Sequence, residues 1–268
     1  MKNILEYIIL GIIQGITEPL PISSSGHLLI FKKLFKINAL KDLNFEIIVN
    51  FGSLLAILFL YRKDIIKIIK DFFSYIKTKD EKYKTNYKYA WYIVIATIPA
   101  GILGLLLKDK IELISNNIKY IGIALLITAL ALFIVRKIDG KKDKKDMTYK
   151  DAIKIGLFQS IALLPGISRS GSTIVGGLLS DLKKDTAVNF SFMLYIPISI
   201  ATMVLGVSDL VKTPNISSYL LPYGLGMIAS AIFTYYSLKL FINIVKQKKL
   251  IYFVIYCLIV GTLVLLFL

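Results

Sequence analysis

Residues 14–27 read Gln14-Gly15-Ile16-Thr17-Glu18-Pro19-Leu20-Pro21-Ile22-Ser23-Ser24-Ser25-Gly26-His27, a polar, proline-broken run inside apolar sequence. Shifted by 145 residues, it meets a second version of itself. Gly11 aligns with Gly156, Gln14 with Gln159, Ile16 with Ile161 and Ile22 with Ile167; Ser23, Ser25 and Gly26 align with Ser168, Ser170 and Gly171. The register continues without a gap through Asn44/Asn189, Phe45/Phe190 and Ala56/Ala201. Apolar identities arise easily by chance. Gln, Ser, Gly and Asn matches in one fixed register do not, and they point to a duplication.

Outside these runs the 268-residue chain is apolar in blocks: 56% of its residues are hydrophobic and its mean hydropathy is +0.70. Uncharged or nearly uncharged stretches occupy 45–61, 89–107, 120–135, 186–208, 218–238 and 250–268. Each approaches the length a helix needs to cross about 30 Å of hydrocarbon. The expectation is an all-α integral membrane protein with about six transmembrane helices.

The segment before the first span is too interrupted for an ordinary crossing. Pro19 and Pro21 disfavour helix at the residues before them, and Ser23, Ser24, Ser25 and Gly26 follow. Flanking helices of about 15 and about 12 residues are too short to cross singly. A re-entrant hairpin over 1–37 fits, and 150–181 repeats the design with Pro165 and Gly166 at its break. Irregular backbone at that depth requires surrounding protein or a water-filled cavity. One hairpin plus three spans makes a first repeat of 1–136, and the same plan makes a second of 146–268, in a single membrane domain. An odd number of spans inverts the second half. The hairpins then enter from opposite faces and meet near the midplane, an inverted-topology repeat around a central site.

The formal charge of +16 does not mark a nucleic-acid binder. Nine Lys or Arg lie in 62–89 and eight in 136–154; with later loops, one side holds 22 basic residues and the other nine. That asymmetry assigns the basic loops to the cytoplasm, beside anionic bilayer lipid. No nucleic-acid partner is expected. The only cysteine, Cys257, cannot close an intrachain disulfide. The N-terminus imitates a signal peptide, but Glu6, Gln14 and Glu18 interrupt it, so it is taken as mature structure.

The chemistry resides in the two broken runs. Gln14 and Glu18 are four apart and share a helix face. A carboxylate within a membrane hairpin is costly unless a cation or water meets it. The serines stand where a short helix begins, where one caps the helix and free backbone N–H groups attract an anion. His27, the only histidine, lies three residues beyond Ser24. A lone histidine is ordinarily structural, but here it joins a Ser/Glu cluster, and an unperturbed imidazole can take or donate a proton near neutral pH. The second run reads Pro165-Gly166-Ile167-Ser168-Arg169-Ser170-Gly171-Ser172-Thr173. Arg169 carries a fork that matches phosphate, with hydroxyls at a helix N-terminus around it. A purely structural Glu18–Arg169 ion pair is the plain alternative. Together the runs read as a membrane-embedded phosphate pocket.

At these residues the sequence resembles the undecaprenyl-diphosphate phosphatase (bacitracin-resistance) family. That family carries an (E/Q)xxxE motif, a PxSSxGH segment and a PGxSRSGST segment. They stand here as Gln14 to Glu18, Pro21 to His27 and Pro165 to Thr173. The likeness covers essentially the whole chain. Pro19 stands where an aromatic residue is common and Ser25 where Thr is common; neither change removes a reactive group. The resemblance implies removal of the terminal phosphate from undecaprenyl diphosphate, recycling the lipid carrier for peptidoglycan synthesis and conferring bacitracin resistance. It further implies a divalent cation, Mg2+ or Ca2+, a polyprenyl diphosphate lipid substrate and a multi-pass protein of the bacterial inner membrane. Its active site would face the outside.

On this reading Glu18, Ser24, His27 and Arg169 are the catalytic residues. Ser23, Ser25, Gly26, Ser168, Ser170 and Thr173 bind substrate, and Glu18 with Gln14 holds the metal. Ser24 attacks with His27 as base, or His27 attacks with Ser24 positioning, or water attacks directly; the sequence does not separate these. A homodimer is left open. The chief rival is a secondary transporter or lipid flippase, since inverted repeats with broken helices are common there. Transport needs no nucleophile beside a base.

Overall fold

A computed structural model describes residues 4–35, 43–107, 111, 117–212 and 216–268. Helices are its regular elements; among the described residues the single β-type pairing is an isolated bridge between Lys142 and Leu182. In chain order they are α1 (Ile4–Thr17), α2 (Ser24–Phe35), α3 (Leu43–Leu60), α4 (Arg62–Thr78), α5 (Glu81–Leu106) and α6 (Ile118–Val135). There follow α7 (Tyr149–Ile161), α8 (Arg169–Leu178), α9 (Lys184–Lys212), α10 (Leu220–Lys246) and α11 (Ile251–Phe267).

Among the described residues four helices are long and apolar enough to cross a bilayer: α5, α6, α9 and α10, the last extended by a 3-10 turn at Ile216–Tyr219. The other two expected spans fall on α3 and α11. Helix α11 has 17 residues, about 25 Å of rise, the short limit for a crossing. Helix α3 bends by 73° into α4 at Tyr61.

Helix α4 lies in what reads as a charged loop. Its charges recur with helical period: Lys63, Lys67, Lys70 and Lys77 form one exposed stripe, and Ile66, Ile69, Phe73 and Ile76 form another. Only Ile68 is buried. Such two-faced helices lie in the membrane interface. Lys79, with φ of 56°, ends α4, and the Asp80 side chain accepts the Lys82 N–H to start α5.

The two short first helices, α1 and α7, are exchanged across the molecule. Helix α1 packs along α10, and α7 along α5. Backbones approach closely there because small residues face them. A Cβ on Gly11 would lie 2.2 Å from the Gly226 carbonyl oxygen, and one on Gly156 would lie 2.7 Å from that of Ala96. Gly11 and Gly156 are the pair matched by the 145-residue shift. The start of α7 is locked by Asp151, whose carboxylate accepts from Lys142 Nζ at 3.0 and 3.1 Å and from the Thr148 N–H and hydroxyl at 2.9 Å. Buried side chains of α3, α5, α6, α8, α9, α10 and α11 share one core with Ile22 of the first break.

Candidate active site

Between α1 and α2, and between α7 and α8, the chain turns without helix, and the two turns touch. A Cβ on Gly26 would meet Gly166 Cα at 3.3 Å, and one on Gly171 would meet Pro21 Cβ at 3.4 Å. The Ser170 hydroxyl donates to the Leu20 carbonyl at 3.1 Å, tying one turn to the other. The second turn is anchored to α6, where the Ser168 N–H donates to Thr128 Oγ1 at 3.2 Å.

The serines that open the two short helices behave alike. Ser23 Oγ accepts the Gly26 N–H at 3.3 Å, and Ser168 Oγ accepts the Gly171 N–H at 3.1 Å, each satisfying an orphan donor. Ser23 does so at φ of 68°, a conformation that costs a non-glycine residue about 1–2 kcal/mol. Gly166 takes φ of 90°, and a Cβ there would lie 2.8 Å from Ala124 Cβ and 3.1 Å from Ile121 Cα. Gly166→Ala therefore meets both strain and overlap. Its expected cost is about 1–3 kcal/mol, read as a lower thermal unfolding midpoint in micelles together with loss of activity.

This contact of turns brings Glu18 against Arg169. Glu18 Oε1 accepts from Arg169 Nη2, across 151 residues of sequence. Glu18 Oε2 accepts from Gln14 Nε2 at 2.8 Å and from the Ser24 hydroxyl. The carboxylate is buried, with 7% of its side chain exposed. A carboxylate so placed persists because a guanidinium and two further donors surround it. Arg169 lies 4.0 Å over the Tyr195 ring, and its Nη1 is buried with no hydrogen-bond partner among the described residues.

Ser24 and His27, three residues apart in the motif, have different partners. His27 Nδ1 lies 2.8 Å from the Ser23 carbonyl oxygen and Nε2 lies 2.8 Å from Tyr256 Oη. A carbonyl only accepts, so Nδ1 carries a proton, and in the neutral ring Nε2 accepts from the tyrosine hydroxyl. The group that accepts from the Ser24 hydroxyl is the Glu18 carboxylate, while both His27 nitrogens meet other partners. The remaining expected site residues divide by environment. Ser25 is exposed at the first turn. Ser168 and Thr173 are buried, Thr173 Oγ1 donating to the Arg169 and Ser170 carbonyls and lying 2.5 Å from Ser191 Oγ.

Three residues outside both motifs join this cluster. Tyr195 of α9 supplies the ring under Arg169, its hydroxyl donating to Asn50 Oδ1 at 2.7 Å. Asn50 Nδ2 donates in turn to Ser199 Oγ at 3.4 Å. The spacing of Ser191, Tyr195 and Ser199, four apart in an apolar span, is the signal that finds this face. Tyr256 of α11 has no such signal; a tyrosine in a terminal apolar span is ordinarily an interfacial anchor.

Fold and site together define a multi-pass membrane protein with a charge-paired, hydroxyl-rich cluster at the junction of two broken helical hairpins. Residues 7–263 match the family model described as bacitracin resistance protein BacA. The chain belongs to that family. It is 49% identical to undecaprenyl-diphosphatase 2 of Bacillus thuringiensis over 99% of this chain and 98% of the relative. It is 48% identical to undecaprenyl-diphosphatase 3 of Bacillus anthracis over the same shares. Undecaprenyl-diphosphatase of Oceanobacillus iheyensis is 45% identical, over 99% and 97%.

Proposed function

We infer that this chain hydrolyses undecaprenyl diphosphate to undecaprenyl phosphate and inorganic phosphate. The observation that carries the inference is the Glu18–Arg169 pair, with a serine hydroxyl on its carboxylate and an unpaired guanidinium N–H at its edge. Arg169 Nη1 suits a phosphate oxygen, since a buried donor left unpaired costs about 1–3 kcal/mol until an acceptor arrives. As Ser24 Oγ attacks the terminal phosphorus, its proton passes to Glu18. The bond from that phosphorus to the bridging oxygen breaks, and undecaprenyl phosphate leaves. Water then attacks the phosphoserine and gives its proton to His27. The bond from phosphorus to Ser24 Oγ breaks as Glu18 returns its proton to that oxygen, and inorganic phosphate leaves with the proton released by His27. Arg169 stabilises the charge that develops on the transferring group.

The pocket's oxygen donors, one carboxylate, the Gln14 amide and serine hydroxyls, suit a hard divalent cation. Among the described residues no group of three His, Cys, Asp or Glu lies together. Mg2+ sites of this kind use one or two carboxylates and draw further ligands from substrate phosphates and water. Glu18 and Gln14 would hold such an ion, Mg2+ or Ca2+, and it would supply positive charge to offset that of the diphosphate.

The halves 1–136 and 146–268 are the two copies of a duplication. The first diverged toward the reactive groups and the second toward the phosphate clamp: Leu163 stands opposite Glu18, and Arg169 opposite Ser24. The basic surface of α4 and of 136–154 marks the cytoplasmic side. The pocket opens on the outer side of the bacterial inner membrane, where the reaction recycles the carrier for peptidoglycan synthesis and counters bacitracin. All the groups named come from one chain, so the chemistry does not require a homodimer.

The deciding experiment is phosphate release from undecaprenyl diphosphate by protein purified in detergent. Hydrolysis survives in micelles, whereas transport has no meaning there. Release by the wild type is the expected result. A folded, cation-supplied protein that binds the lipid and releases no phosphate refutes the reading in favour of a transporter.

A further inference from the structure

Helix α11 meets the first hairpin turn at two neighbouring residues. The Cys257 thiol points to the Pro21 carbonyl at 3.9 Å, and the Tyr256 hydroxyl lies 2.8 Å from His27 Nε2. The tyrosine and imidazole rings are also stacked, with centroids 5.5 Å apart and planes 16° from parallel. His27 is buried, while Tyr256 is 40% exposed at the outer edge of the pair. With Nδ1 committed to the Ser23 carbonyl, Nε2 is the one ring atom that can change its proton. That atom faces Tyr256.

We propose that Tyr256 is a positioning residue for the reaction: its hydroxyl holds His27 in the tautomer with the proton on Nδ1 and keeps Nε2 ready to take one. This rests on the phosphatase reading of the pocket. A hydroxyl suits the task because it both donates and accepts. In the neutral ring Tyr256 Oη–H donates to Nε2. Once Nε2 is protonated, the hydroxyl turns and accepts from Nε2–H, so the ring need not move between the two states. Ring orientation enforced by a hydrogen-bonded neighbour is how a histidine's active nitrogen is selected. Phenylalanine at 256 would preserve the stacking and remove only the hydroxyl.

The chain's single histidine makes the test direct, because ring-15N-labelled protein shows one imidazole. In wild-type protein the expected spectrum is one neutral tautomer, protonated at Nδ1, with a hydrogen-bonded, unprotonated Nε2. In Tyr256→Phe the Nε2 resonance moves to the position of a nitrogen without that bond, and the second tautomer gains population. On undecaprenyl diphosphate the variant should lose about 10- to 100-fold in kcat with KM within about twofold, the span of a misplaced acid–base group. Tyr252→Phe, one turn away with its side chain 52% exposed, should change neither readout. Unchanged ring resonances in Tyr256→Phe would overturn the proposal, as would altered resonances with kcat within twofold of wild type. Wild-type protein with the expected spectrum but no phosphate release would instead remove the phosphatase reading, and the positioning role with it.

Discussion

Arg169→Ala is expected to lower kcat/KM for undecaprenyl diphosphate about 1,000-fold, roughly 4 kcal/mol of transition-state stabilisation. Two effects contribute, and they separate experimentally. The first is direct: the guanidinium donates to charge developing on the transferring phosphoryl group, where a positioned arginine commonly supplies 10^3-fold or more. The second is structural. Removing Arg169 leaves Glu18 buried without its counter-ion, a loss of about 3–5 kcal/mol when one partner of a buried pair is deleted. Arg169→Ala should therefore unfold at a lower temperature than wild type. Adding Glu18→Gln removes the stranded charge, so the double variant should regain much of that stability and none of the activity. Near-normal hydrolysis by a well-folded Arg169→Ala protein would show that the phosphate binds elsewhere.

Glu18→Gln alone should lose between about 10^2- and 10^4-fold in kcat, the range of a missing general base. Its kinetic signature is expected to differ from that of Arg169→Ala. The amide keeps the shape of the carboxylate but no longer takes the Ser24 proton or holds Arg169 as an ion pair. Arg169 is then freer to meet phosphate. With the cation supplied at saturation, to offset the ligand lost at Glu18, KM should stay level or fall, and a non-hydrolysable diphosphate analogue should bind at least as tightly as to wild type. In Arg169→Ala, by contrast, KM should rise while kcat falls. A Glu18→Gln enzyme that keeps more than about a tenth of wild-type kcat would exclude Glu18 as the base.

Much of this architecture is legible in the residues, for identifiable reasons. Apolar blocks announce spans because length and lack of charge are all a crossing requires. The breaks are legible because proline acts locally: α1 ends at Thr17, just before Pro19 and Pro21, and α7 ends at Ile161, before Pro165. Helix α4 is harder to see, since its lysines suggest a loop until they are plotted with helical period. The partner of Ser24 illustrates a deeper limit. Spacing along a helix points to His27, three residues on; Glu18 is six residues back, across a turn whose path no periodicity describes. Tyr195, Asn50 and Tyr256 enter the pocket only through helix packing, which sets α9, α3 and α11 against the turns. Asn50 and Tyr195 are nonetheless 145 residues apart, the same interval that aligns the two broken runs, and they bond to each other.

The Glu18–Arg169 pair also sets a timetable for biosynthesis. Its members are 151 residues apart, and a ribosome adding about 5–20 residues per second needs roughly 8 to 30 s to make that interval. Throughout that time the first hairpin carries a carboxylate with no counter-ion, and α1 lacks α10, the helix it packs along. The turn cannot settle at depth until the second half arrives. The first hairpin to be synthesised is therefore among the last parts to be finished, and the catalytic pocket closes only when nearly the whole chain is in the membrane.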